Sequence, residues 1–236
     1  MSDKNAPAAP LDPAILAELA GFTTPSVANG VETFNVRPRD EGFMDGTVRC
    51  IFPNLPTMVG YAVTARIHAA SQGDRVAPAE LWKHAVSMPT PRIVVIEDLD
   101  DPPGVGSFWG EVNANVFRAL GCIGVVTNGG VRDLREMEAL GFHAFAGSIC
   151  VSHAYVRVVE VGIPVKVGGL TVRPGELLHG DRHGVMNVPV EIARELPAAI
   201  RGVEADERVL IGYCQSREFN LDGLIALRSQ PGGVRR

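Results

Sequence analysis

The pattern of apolar and polar positions changes character along the chain. Over residues 11–19 apolar positions recur at helical spacing, and Asp12-Pro13 supplies an N-cap and first turn. Thr24-Pro25-Ser26 opens a second short helix. Residues 35–56, rich in Pro, Gly, Asp and Arg, read as loop with short extended pieces. An alternating, β-rich run follows at 61–68, then a helix over 78–87.

The middle is the most regular part. RIVVIE at 92–97 and CIGVVT at 122–127 are the continuous apolar runs of buried strands. Helices are predicted over about 112–120 and 132–140, with Asn128-Gly129-Gly130 as the turn before the second. Residues 143–148 and 163–167 are further strand candidates. From Val172 the pattern becomes short strands with turns at Pro174-Gly175 and 181–184, followed by a helix over 190–201. Strand–helix alternation of this kind predicts an α/β fold with some parallel pairing, one domain over 11–230. Residues 1–10 read as a disordered start and 231–236 as a frayed tail.

Composition narrows the function classes. Of 236 residues, 46% are hydrophobic, enough for a sizeable core. The net charge of −5 argues against a nucleic-acid partner, which favours a basic face. No apolar run reaches the roughly 18 residues of a membrane span, and the polar, Pro/Ala-rich start lacks a signal peptide's apolar stretch. The four cysteines, Cys50, Cys122, Cys150 and Cys214, form no CxxC pair and read as buried small hydrophobes. A cytoplasmic protein with reduced thiols is expected.

The chemistry concentrates in Val125-Val126-Thr127-Asn128-Gly129-Gly130-Val131-Arg132-Asp133. An apolar strand runs into two glycines and then a helix start, whose free N–H groups and dipole suit a carboxylate. Arg132 adds a fixed fork for a carboxylate or enolate oxygen, and Asp133 a hard ligand for Mg²⁺ or Mn²⁺. On residue types alone, the same pair also reads as a helix cap with a salt bridge. A second acid, Glu111, stands at another loop–helix junction in Trp109-Gly110-Glu111-Val112-Asn113. Two such junctions can converge at one sheet edge, where α/β proteins bind ligands; otherwise Glu111 only complements its helix dipole.

Glu111, twenty residues, then Arg132-Asp133-Leu134-Arg135-Glu136 makes an acid–x20–Arg–Asp–x2–acid pattern. The chain in this respect resembles the RraA-like family, which includes the 4-hydroxy-4-methyl-2-oxoglutarate and 4-carboxy-4-hydroxy-2-oxoadipate aldolases. The resemblance continues through Ile163-Pro164-Val165, Gly168-Gly169, Val172-Arg173-Pro174-Gly175-Glu176-Leu177 and His179-Gly180-Asp181-Arg182-His183-Gly184-Val185, and covers roughly residues 24–200. It implies a single compact swivelling β/β/α-type domain, here with N-terminal helices and a C-terminal helical extension, assembled as a homo-oligomer, a trimer or hexamer.

It also implies a class II lyase acting on a small 2-keto acid with a divalent metal, Mg²⁺ or Mn²⁺, and no nucleotide cofactor. Asp133 would hold the metal and Glu111 would hold it through water. Gly110 would form part of the substrate loop, and the N–H groups of Val112 and Asn113 would bind the pyruvyl carboxylate. Arg132 would face the keto oxygen and stabilise the enolate. Oxaloacetate decarboxylation passes through the same enolate. Where the family often carries two leucines after the acid, this chain has Val112 and Asn113. Its aldolases also use an acid from a neighbouring subunit, for which Glu191, Glu195 and Glu204 are candidates by position. The alternatives are a related lyase or dehydratase on another hydroxy acid, and a non-catalytic, protein-binding regulator resembling the family's regulator of ribonuclease E.

Three rival motifs read as structure. His179, Asp181 and His183 could suggest zinc, but the flanking glycines favour a turn capped by Asp181. Lys166, in an apolar strand, is the one credible Schiff-base lysine, though such residues mostly snorkel from edge strands. Gly104, Gly106 and Gly110 miss the dinucleotide spacing by one residue. Trp82 and Trp109 read as packing or pocket wall.

Overall fold

The computed structural model describes residues 10–229. The sequence-based disordered start and frayed tail lie, apart from Pro10, outside the described residues. The chain begins with α1 (Pro13–Ala20) and α2 (Thr24–Glu32), each with Pro in its first turn and a side-chain N-cap, Asp12 and Thr23. Next come β1 (Arg49–Cys50), β2 (Met58–His68), α3 (Pro78–Ser87), β3 (Arg92–Asp98), α4 (Glu111–Ala119), β4 (Cys122–Thr127), β5 (Gly130–Val131), α5 (Leu134–Ala139), β6 (His143–Ala146) and β7 (Ser148–Ile149). The last part holds β8 (Arg157–Val161), β9 (Val165–Val167), β10 (Leu170–Val172), β11 (Leu177–Asp181), β12 (Gly184–Val188), α6 (Leu196–Gln215) and α7 (Leu221–Ser229).

The main sheet runs β1-β6-β4-β3-β2-β11-β12. Its centre, β6-β4-β3-β2, is parallel. The long strand β2 serves two antiparallel partners on one edge: β11 pairs with Met58 to Tyr61 and β8 with Ala65 to His68. Successive side chains of a strand point to opposite faces, and the core divides accordingly. Val63, Val94, Ile96, Val125 and Ala144 lie in one buried cluster with Leu81 of α3, Phe117 of α4 and Met137 of α5. Ala62, Ile93, Val95, Val126 and Phe145 lie in another, with the β9–β10 hairpin and Leu178 and Val185 of β11–β12. Helices, sheet and a second β layer therefore stack as β/β/α, the α/β class and layering expected. A third cluster packs α1, α2 and the start of α6 on the beginning of β2 and on β11–β12.

Most elements fall where the pattern places them, with three departures. Helix α5 begins at Leu134 rather than Arg132, because Asp133 takes a left-handed backbone (φ 52, ψ 47). Helix α6 starts at Leu196 and runs 20 residues, so the helix over 190–201 is displaced: Val190–Glu195 forms turns, and Pro197 sits in the helix's first turn, where proline fits. Strand β8 was not anticipated. Among the described residues no helix is long and apolar enough to cross a membrane.

Candidate active site

The carboxyl ends of β2, β3, β4 and β6 share one edge, where open α/β sheets place ligand clefts. Side chains splice these ends together. Asn128 Oδ1 accepts the Asp98 N–H at 2.8 Å and Asn128 Nδ2 donates to the Asp98 carbonyl at 2.8 Å. Asp98, itself buried, accepts the Gly104 N–H at 2.8 Å and the Asp100 N–H at 3.1 Å. Burial pushes the Asp98 carboxyl above its ordinary value, and those two N–H donors pull it back. Asp100 accepts from the Ala69 and Ala70 N–H groups at the end of β2 and pairs with His68.

Two loops rise from this floor and meet. Trp109 bridges to Val131, and the Arg132 N–H donates to the Trp109 carbonyl at 3.1 Å. Buried Ser107 sits between the loops. Its Oγ lies 2.6 Å from the Trp109 carbonyl and 2.7 Å from the Gly130 carbonyl, and accepts the Trp109 N–H at 3.0 Å. Trp109, buried against Phe117 and Phe142, anchors the first loop in the helical layer.

This junction brings together residues 22 positions apart. Asp133 Oδ2 accepts the Glu111 N–H at 3.0 Å, and Arg132 Nε lies 3.7 Å from the same oxygen. A Cβ on Gly110 would collide with Asp133 Oδ2, so only glycine lets that carboxylate close on the start of α4. Arg132 and Asp133 keep 35% of their side chains exposed, open enough to meet a ligand. Glu111 is exposed. Helix geometry leaves the N–H groups of Val112 and Asn113 without intrahelical acceptors. The Asn113 side chain instead donates back to the Phe108 carbonyl at 2.6 Å, so it braces the loop. Gly110, Glu111, Val112, Asn113, Arg132 and Asp133 thus share one locality.

The donor chemistry suits a hard cation. Asp133 and Glu111 offer carboxylate oxygens, the donors Mg²⁺ and Mn²⁺ prefer, and such ions keep several waters rather than demand a full protein cage. Among the described residues no three or more His, Cys, Asp or Glu side chains gather into a group that could hold a metal ion.

The geometry gives the zinc and Schiff-base readings no support. His179 is buried, with Nδ1 at 3.0 Å from Thr24 Oγ1 and Nε2 at 3.0 Å from the Leu19 carbonyl. Asp181 accepts the His183 N–H at 2.8 Å and the Thr24 N–H at 3.0 Å, capping the β11–β12 turn. Lys166 is exposed on β9 between buried Val165 and Val167, without the desolvation a Schiff-base lysine needs. The cysteines are free, but only Cys122 is fully buried, where burial pushes its thiol up to about 12. Cys50 and Cys150 are half-buried and Cys214 is exposed, which corrects the uniform buried reading. Trp82 is 41% exposed, unlike Trp109.

Sequence reasoning missed Ser107, Asp98 and Asn128 as the braces of the site. Nothing in their spacing marks them, because the contacts that tie the two loops together, Asn128 with Asp98 and Ser107 with Gly130, span 30 and 23 residues.

A family model described as RraA-like, Aldolase/RraA, matches residues 24–187. The uncharacterized protein MJ0644 of Methanocaldococcus jannaschii is 25% identical over 162 residues, 68% of this chain and 74% of that protein. A Halalkalibacterium halodurans protein with the provisional name 4-hydroxy-4-methyl-2-oxoglutarate aldolase is 32% identical over 81 residues, 34% of this chain and 39% of that one. Among solved structures, Streptomyces coelicolor RraAS2, described as an unusual member of the RNase ES inhibitor RraA protein family, superposes with a TM-score of 0.65. It is 19% identical, with 85% of this chain and 98% of that one covered.

Proposed function

The chain belongs to the RraA-like family, and from that premise we propose that it is a divalent-metal-dependent lyase that cleaves a 4-hydroxy-2-keto acid, such as 4-hydroxy-4-methyl-2-oxoglutarate, to release pyruvate. The observation that carries this reading is the contact of Asp133 Oδ2 with the Glu111 N–H, which gathers Glu111, Arg132 and Asp133 at the carboxyl edge of the sheet. A regulator that only docks on a protein has no need for an arginine fork held beside a carboxylate that itself closes on a helix start.

Each residue has a task in the reaction. Asp133, with Glu111 acting through water, would hold Mg²⁺ or Mn²⁺. When bound, that ion polarises the keto group as a Lewis acid. The N–H groups of Val112 and Asn113 hold the carboxylate next to the keto carbon, where the dipole of α4 favours negative charge. Arg132 places its guanidinium at the keto oxygen and stabilises the charge that gathers there as the C3–C4 bond breaks. The electrons of that bond pass into the pyruvate enolate, the C4 hydroxyl gives its proton to a water in the cleft as C4 becomes a carbonyl, and water returns a proton to C3 of the enolate to give pyruvate. Oxaloacetate decarboxylation yields the same enolate and is a proposed side activity.

A homo-oligomer is part of the proposal. Val105, Val112, Ile149 and Tyr155, all in the loops and elements around the site, are exposed, and Val151 reaches 96%. Exposed apolar side chains gathered in one region support a neighbouring copy covering this face, which would bring its own acidic side chain to the cleft.

The test is pyruvate release coupled to lactate dehydrogenase, with 4-hydroxy-4-methyl-2-oxoglutarate and oxaloacetate offered separately in Mg²⁺, Mn²⁺ or EDTA. Metal-dependent release is expected. No release from either substrate under any condition overturns the reading.

A further inference from the structure

A second cleft, of about 400 Å³, opens beside the site at the same edge of the sheet. Thr47, Asn128, Ser148, Lys166, Gly168 and Gly169 contribute to its wall. Its position relative to the reacting groups follows from strand register. Gly130 pairs with Ser148 in the β5–β7 ladder, and Arg132 stands two residues beyond Gly130, about 7 Å along an extended chain. That register sets the Ser148 wall of the cleft beside the strand that leads into Arg132.

The cleft holds one cation. Lys166 points outward from β9, and among the described residues its ammonium makes no ion pair. The acid best placed to neutralise it is already engaged: Glu97 Oε2 accepts from Arg66 Nε at 2.8 Å and from the Lys166 backbone N–H at 3.1 Å. Asp45, at the rim near Gly169, turns its Oδ1 onto the Thr47 N–H at 2.9 Å. The Ser148 hydroxyl is buried with no hydrogen-bond partner, packed against Gly104 of the β3–α4 loop. A buried hydroxyl left without a partner is costly unless another group completes it. Asn128 does not compete, since both ends of its amide are spent on the Asp98 backbone.

We propose that Lys166 is a specificity-determining residue that binds the far carboxylate of a dicarboxylic 2-keto acid in this cleft. The proposal rests on the lyase reading for the identity of the near end, but the cleft and the lysine stand without it. An ammonium on a flexible stem provides a point charge that reaches a carboxylate at variable distance. Lys166 then contributes to substrate and transition state alike, so it acts on KM and leaves kcat nearly untouched.

Two measurements on the full chain with Mg²⁺ test this separately from catalysis. Calorimetry with two five-carbon probes, 2-oxoglutarate and 2-oxopentanoate, compares a second carboxylate with a methyl group. Wild type should bind 2-oxoglutarate about tenfold or more tightly than 2-oxopentanoate, the worth of one charge-assisted contact. Lys166→Gln should abolish that preference without changing 2-oxopentanoate affinity, and Lys166→Arg should restore most of it. The substitution is on an exposed position, so the fold is retained. An unchanged preference in Lys166→Gln, or no preference in wild type, overturns the proposal. The second measurement is pyruvate release by wild type: if it is absent while the preference and its loss are present, the lyase reading fails and the anion subsite stands.

Discussion

Asp133 reaches back 22 residues to accept the Glu111 N–H, and glycine at 110 is what gives it room. Gly110 itself is extended (φ −166, ψ −168), a conformation any residue adopts, so its requirement is steric and not conformational. Gly110→Ala should therefore fold, with a modest change in Tm, yet lose on the order of 100-fold in kcat/KM because Asp133 and Arg132 are displaced. Near-normal turnover in that variant would show that the carboxylate has no role where it sits.

Arg132 should matter through its shape as well as its charge. Arg132→Ala is expected to cost roughly 10²–10³-fold in turnover with the thermal transition unmoved, as for loss of a donor aimed at developing charge. Arg132→Lys should recover little, because an ammonium lacks the planar fork. Steady-state kinetics beside circular dichroism melts check both.

Ser107 offers a prediction about rigidity. Its hydroxyl accepts the Trp109 N–H and gives its single proton to the Trp109 or the Gly130 carbonyl, on the two loops that carry Glu111 and Arg132. Ser107→Ala leaves buried polar atoms unpaired and should destabilise by about 1–3 kcal/mol, with a drop in kcat that its distance from the substrate would not otherwise explain. Urea unfolding and turnover measured on the same preparation would detect a stability loss without a rate loss, the result that goes against it.

His143 should tune stability with pH. It is 3% exposed, stacks on Phe145 at 4.7 Å between centroids, and neither ring nitrogen makes a well-formed hydrogen bond. Burial lowers its pKa from 6.5 to about 4. The folded state thus holds the neutral ring while the unfolded chain takes up a proton below pH 6.5. Stability should fall as pH drops from 6.5 towards 4, by about 3 kcal/mol in all, and level off below. His143→Leu should raise Tm at pH 7 and flatten this acid slope; a melt series with an unchanged slope would assign the acid sensitivity elsewhere.

What could be read in advance follows from how local each cause is. Helix α3 begins and ends where the pattern places it, because Pro78 and an amphipathic turn repeat within ten residues. Strands β3 and β4 are continuous apolar runs since both faces of the sheet are covered. The start of α5 was misplaced because the left-handed turn at Asp133 accompanies a contact with Glu111, a long-range fact. The far half of α6 buries no side chain, so it leaves no apolar stripe to read. Glu111, Arg132 and Asp133 were legible as a spacing; the Lys166 cleft was not, being assembled from a hairpin, a strand end and an early loop.

The divided edge of β2 has a consequence for biosynthesis. Met58 to Tyr61 is synthesised early, but its partner on that side, β11, follows more than a hundred residues later. Until then the nascent chain carries an uncapped, apolar strand edge of the kind that recruits other chains. Domains whose pairings span such distances fold slowly, so yield in a cell should depend on chaperone capacity during translation more than on the stability of the finished protein.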